Sequence, residues 1–184
     1  MSQYYYLVAT LPMLFYQSER SPSREEFLEL CRTQVSGADF RVLAEADLKV
    51  RGEQGSGCAV LDKWRSWECG LRNELAKLRA RRKSVEPAGH LVEAREHLGQ
   101  TEMARQALGE ASPLAAEELL NRARWEYLDE LETGHYFDLS RLVLFSLRLQ
   151  LLERRRLLSD RERGGASFQS QYQSITHSIR EEPA

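Results

Sequence analysis

The sequence predicts an all-α fold, a bundle of long amphipathic helices that includes a helical hairpin, and three segments carry that prediction. Between Ala59 and Lys83, the residues Leu61, Trp64, Leu71, Leu75 and Leu78 fall on one stripe, with Glu68, Arg72, Lys77 and Arg79 largely elsewhere. At 1.5 Å per residue such a helix runs about 37 Å. Ser112 followed by Pro113 is a strong start signal, a serine cap with proline at the first helical position, and Leu114 to Glu132 is expected to be helical behind it. Asp138 caps a last helix, Leu139 to about Arg161, whose first half is apolar on nearly every side and which therefore belongs at the centre.

The remaining elements are shorter. The run Tyr4 to Met13 reads as either a buried strand or a helical turn, because aromatic and β-branched residues crowd it without a clear period. Ser23 and Glu26 form a capping-box pattern, after which Phe27, Leu28, Cys31 and Val35 repeat at helical spacing until Gly37. Asp39 is placed to cap a short second helix holding Phe40, Leu43 and Ala46, and a polar, glycine-studded loop follows from Val50 to Gly57. After Pro87 only Leu91, Leu98 and Leu108 give an apolar seam, which predicts a solvated helix or mobile arm. The expected hairpin pairs the two long Trp-containing segments around that arm. Gly134 is a natural stop between the last two helices. Beyond Gly164 and Gly165, the residues Phe168, Tyr172, Ile175 and Ile179 step at helical spacing. The resulting layout is a helical domain over residues 1–163, with 87–111 as a mobile insertion, and an amphipathic tail over 164–184.

Composition narrows the class. The 184 residues are 42% hydrophobic, 29% charged and 9% aromatic, which excludes disorder as the main state. With 26 Lys and Arg against 28 Asp and Glu, the net charge of −2 provides no general attraction for nucleic acid or anionic lipid. The three cysteines, Cys31, Cys58 and Cys69, are an odd number without a CxxC pair, so neither a disulfide framework nor a zinc knuckle is expected and the cytosol is the expected compartment. The apolar run Tyr4 to Tyr16 lacks a preceding basic segment and is broken by Pro12, which argues against a secretory leader. Leu139 to Leu152 carries Arg141 and Arg148 and falls short of the roughly 20 residues needed to span a bilayer.

A search for chemistry finds no catalytic signature. His90 and His97 lie seven residues apart without further ligands of the type a zinc site needs. Glu132 and His135 match the Glu-x-x-His spacing of di-iron bundles, but one copy before a helix-ending glycine reads as chance. GxSxG, Walker-type and HExxH motifs are absent, and the Gly52 to Gly57 loop has no lysine to reach phosphate. No catalytic, cofactor, metal or small-molecule residue is expected. Two basic clusters remain, Arg79, Arg81, Arg82 and Lys83 at the end of one long helix and Arg154, Arg155 and Arg156 near the end of another. Offsetting the helix macrodipole accounts for both, at about 0.3–1 kcal/mol per cation, while a docking role for an acidic partner is the sharper reading. Core filling is the simplest role for Trp64, Trp67 and Trp125, although paired tryptophans also serve interfaces.

Four stretches together, YYYLVATLPML, SREEFLELCRTQVSGADFRVL, WRSWECGLRNELAKLRARR and YFDLSRLVLFSLRLQLLERRRLL, resemble a bacterial family encoded in V-type ATPase operons. That family in turn resembles a shortened form of the C subunit of V/A-type ATPases, called d in eukaryotes. The resemblance implies an all-helical body like that C subunit, one that seats on the rotor ring and receives the central shaft. Such a body passes torque without binding nucleotide or ions, and lies at the cytoplasmic side of the inner membrane through its partner subunits. The full-length C subunit has three helical lobes, so this chain supplies part of that socket. Stiffness is expected from packing through Trp64, Leu71, Trp125, Leu128, Leu142 and Phe145. The partner-binding residues expected are Arg79, Arg81, Arg82, Arg154 and Arg155 on the basic ends, and Phe168, Tyr172 and Ile175 on the tail. A free-standing cytosolic adaptor or regulator acting through the tail is the alternative, and an enzyme with dispersed polar residues is a third reading.

Overall fold

A computed structural model describes residues 3–50, 55–87, 89, 91–95 and 97–160. Among them all regular structure is helical: α1 (Tyr5–Thr10), α2 (Arg24–Arg32), α3 (Gly37–Glu45), α4 (Ala59–Lys83), α5 (Gln100–Gly109), α6 (Pro113–Glu132) and α7 (Leu139–Ser159). The tail and its residues Phe168, Tyr172 and Ile175 lie outside the described residues. No described helix is long and apolar enough to cross a membrane.

The caps follow local chemistry. Ser23 Oγ accepts from Glu26 N at 3.1 Å while Glu26 Oε2 accepts from Ser23 N at 2.7 Å, a complete capping box at the start of α2. Ser112 Oγ accepts from Ala115 N at 3.1 Å, and Asp138 Oδ1 accepts from Arg141 N at 3.0 Å, so α6 and α7 begin where the sequence predicts. Gly134, at φ +87°, supplies the left-handed turn between them. The start of α3 differs from expectation. Ser36 is its cap, accepting from Asp39 N at 3.2 Å, and the Asp39 carboxylate instead accepts from the Tyr4 hydroxyl. The helical period of α2 also stops earlier, at Arg32, and Gly37 opens α3 rather than closing α2. The undecided N-terminal run forms the single helix α1, held by Tyr4 N donating to Phe137 O at 2.6 Å.

Around α7 the other elements assemble. Leu142 through Leu149 are buried without interruption, and α7 packs against α2, α3, α4 and α6. Trp64, Leu71, Leu128 and Leu142 are fully enclosed, and Phe27 meets Phe145 with ring centroids 4.9 Å apart. Trp67 bridges Trp64 and Tyr127, stacking on the latter at 4.6 Å and 10°. Each such leucine or aromatic side chain contributes roughly 1.5–3 kcal/mol by leaving water.

The middle segment departs most from its sequence reading. It contains the helix α5, one face of which packs on both α4 and α6, and those two helices also touch each other directly through Glu68–Arg124 and Trp67–Tyr127. Its buried face consists of Gln100, Ala104 and Ala107, while Leu98 is wholly exposed. Small side chains let α5 approach closely, and Gly70 of α4 completes the fit. A Cβ added at Gly70 would stand 3.1 Å from Arg95 O and 3.3 Å from Gln100 Cδ, and Gln100 Nε2 donates to Trp67 O at 2.7 Å. The return segment before α5 is fastened by Asn73, whose amide donates to Val92 O at 2.6 Å and accepts from Val92 N at 3.0 Å.

Two outcomes follow from this packing. Gly70→Ala should cost about 1–3 kcal/mol in urea unfolding through overpacking, and hydrogen exchange should show the loss concentrated in residues 91–109. Cys31, fully enclosed, has its thiol pushed up by burial from 9.0 to about 12. A raised folded-state value keeps its stabilising contribution intact below pH 9 and removes it as pH climbs toward 12. Urea titrations across that window should fall more steeply for the native chain than for Cys31→Ala.

Candidate interaction surfaces

Glu68 faces inward on α4, four residues from Trp64 and three from Leu71 on the apolar stripe, although its charge had assigned it to the polar side, and it is only 1% exposed. Burial of a carboxylate is tolerable only with close cations and hydrogen bonds. Arg124 of α6 provides them, with Nε 2.9 Å from Glu68 Oε2 and Nη2 3.1 Å from Oε1, while Arg72 Nε adds a contact of 2.8 Å. The series continues. Arg124 Nη1 reaches Asn121 Oδ1 at 3.1 Å and Glu117 Oε1 at 3.3 Å, and Glu117 Oε1 also accepts from Arg154 Nε and Nη2 of α7 at 3.0 and 2.6 Å. Arg72, Glu68, Arg124, Glu117 and Arg154 thus join α4, α6 and α7 by alternating charge. Burial alone would push the Arg124 guanidinium down, but the Glu68 and Glu117 carboxylates outweigh it and hold it above its ordinary value.

A second clasp lies nearer the α6–α7 turn. Arg148, inside the buried run of α7, donates to Asp129 and Glu132 at 2.5 Å each, lies 5.5 Å over the Trp125 ring, and shares Glu132 with Arg141. Burial draws the Arg148 guanidinium below its ordinary value, with Asp129 opposing. Because two arginines hold Glu132, the Glu-x-x-His spacing has no free carboxylate, and His135 Nδ1 instead contacts Asp138 Oδ2 at 2.6 Å. Among the described residues no three His, Cys, Asp or Glu side chains group as metal ligands. A hollow of about 480 Å³ beside α4 is lined by Asp62, Lys63, Ser66, Arg95 and His97. Ser66 Oγ and His97 Nε2 are both sealed from solvent and find no hydrogen-bond partner among the described residues.

These clasps set the direction of the helices. Arg124 meets Glu68 while Tyr127 meets Trp67 and Lys63, and Glu117 meets Arg154 while Asp129 meets Arg148, so α4 and α7 both run antiparallel to α6 and their C-terminal ends point the same way. Measured along the helices from the Glu68–Arg124 pair, Arg82, Pro113 and Leu158 all lie roughly 16–21 Å off on the same side. The two basic clusters therefore share one end of the bundle, together with the exposed Val85, Leu114, Leu157 and Leu158. The other end is aromatic. Tyr5, Tyr6, Tyr136 and Phe137 are exposed there, with Tyr5 and Phe137 in ring contact at 4.7 Å.

The expected site residues divide between two roles. Arg79 and Arg81 are exposed, and Arg82 is exposed while its Nη2 donates to Leu108 O of α5 at 2.7 Å. Arg154 is committed to Glu117, and Arg155 contacts Glu118 at 3.5 Å, donates to Tyr16 O at 2.7 Å and lies 5.1 Å over the Tyr16 ring. These contacts close α7 onto α6 and onto the segment between α1 and α2, while both side chains stay partly exposed. Sequence reasoning missed Arg105, which α5 brings beside Arg81 and Arg82, and the aromatic group at the far end. The only signal for the latter was the density of tyrosine in Tyr4 to Tyr6. No family model matches this chain, and neither a curated protein nor a solved structure similar to it was found.

The ion series makes a sharp stability prediction. Arg124→Met should cost about 3–5 kcal/mol, because it leaves Glu68 buried with only Arg72, and adding Glu68→Leu should return most of that loss. Equilibrium unfolding of the two variants checks the difference.

Proposed function

We propose that this chain is a non-catalytic component associated with a V/A-type ATPase, a coupling part of the central stalk between rotor ring and shaft that resembles the C (d) subunit. A coupling part has to transmit load between two partners, which requires a body that resists deformation and two separate adhesive surfaces. The observation that carries the reading is the pairing of both in one frame: α4, α6 and α7 are joined by the Arg72–Glu68–Arg124–Glu117–Arg154 series, and the frame ends in a basic surface on one side and an aromatic one on the other. Close packing gives such a frame low compressibility, and exposed tyrosines are the type of residue that dominates binding energy at protein interfaces. The resemblance of four segments to the family encoded in V-type ATPase operons directs this general reading to the rotary machine.

Affinity purification of the tagged chain from gently solubilised membranes tests it. Recovery of ring and shaft proteins is the expected outcome, and membranes from cells lacking the chain should hydrolyse ATP with weakened ion pumping. Recovery of an unrelated protein alone, with pumping unchanged on deletion, would replace this reading with that of a free-standing adaptor.

A further inference from the structure

We infer that the cleft between the C-terminal ends of α4 and α5 is a docking site for an acidic protein segment that inserts an apolar side chain. This concerns the chemistry of a partner and holds whether or not that partner belongs to an ATPase.

The cleft has a volume of about 340 Å³ and is lined by Leu78, Arg81, Arg82, Arg105 and Leu108. Leu78 and Leu108 are half-buried and form an apolar floor, while the three arginines are exposed and form the walls. Arg82 is positioned by its bond to Leu108 O, which uses one of five guanidinium donors. Arg105 Nη1 contacts Glu102 at 2.5 Å in a pair whose side chains are both more than half exposed, an interaction worth about 0–1 kcal/mol that a better carboxylate can displace. Arg79 and Lys83 extend the same end of α4.

Macrodipole compensation explains Arg81, Arg82 and Lys83, which sit in the last turn of α4, but it does not explain Arg105, which lies mid-helix in α5. Convergence of cations from two helices on one apolar floor, in a chain of net charge −2, is a local feature that a complementary anionic surface would fit. The floor decides which kind. Leu78 and Leu108 line the same opening as the three arginines, so an acidic segment that carries an apolar side chain would meet both chemistries at once. The residues lining the cleft include no aromatic ring on which a nucleic-acid base could stack.

The test titrates the full chain with a short synthetic helix of leucine and glutamate, read by side-chain and amide shifts in NMR and by fluorescence anisotropy. Shifts should concentrate at Leu78, Arg81, Arg105 and Leu108, and affinity should fall as salt is raised. Arg81→Glu with Arg105→Glu, both surface positions, should weaken binding by about tenfold or more per arginine while leaving the thermal midpoint in place. Equal binding by the double variant overturns the proposal, as do undisturbed Leu78 and Leu108 methyls. Equally tight binding of an all-glutamate peptide would show charge without an inserted side chain, and displacement of the peptide by phosphatidylserine vesicles would assign the surface to lipid; either result also overturns it. Because the probe is synthetic, failure here leaves the membrane purification result independent.

Discussion

A helix that is apolar on every side is stable only when other elements surround it, and that constraint organises this molecule. Leu142 through Leu149 form two turns of α7 with no solvent face, so α2, α3, α4 and α6 are arranged by the need to cover them. The same burial creates a local obligation. Arg148 lies within the covered run, and its guanidinium can remain there only because Asp129 and Glu132 of α6 reach it. The ion pairs between α6 and α7 are thus a consequence of where the apolar surface must go.

The Glu68–Arg124 pair extends this logic across the bundle. A carboxylate enclosed on α4 accepts only a narrow set of positions for its partner, so the pair sets the register of α4 against α6, and Glu117 passes that register on to α7 through Arg154. Buried ion pairs contribute little net stability, but a partner left buried without its counter-charge is costly. The result is a frame whose two ends are fixed relative to each other, with cations gathered at one and aromatic rings at the other. Arg154 and Arg155 belong to the frame itself, whereas Arg79, Arg81 and Arg105 remain available at its surface.

Legibility in the sequence followed the range of the interaction. The capping box of Ser23 and Glu26, the Ser112 and Asp138 caps and the bounds of α4 and α6 were readable because each is decided within one or two turns. The packing of α5 was harder to read, because its buried residues are a glutamine and two alanines, which carry little hydrophobic signal, while Leu98, just before it, is exposed. Glu68 was misplaced because residue type alone assigns a carboxylate to water. The run Arg79, Arg81 and Arg82 is visible along the chain, whereas the place of Arg105 beside Arg81 and Arg82 is set by the approach of α5 to α4.

The chain's residue order was therefore enough to establish an all-helical class, the positions of its long helices and the central place of α7, since periodicity and caps act between residues three or four apart. Tertiary contact decided which charges disappear inside, which helices run parallel, and that two basic runs separated by some seventy residues share one end. Those outcomes depend on the register between helices, and register is a property of side chains meeting across space, which no single helix carries in its own order.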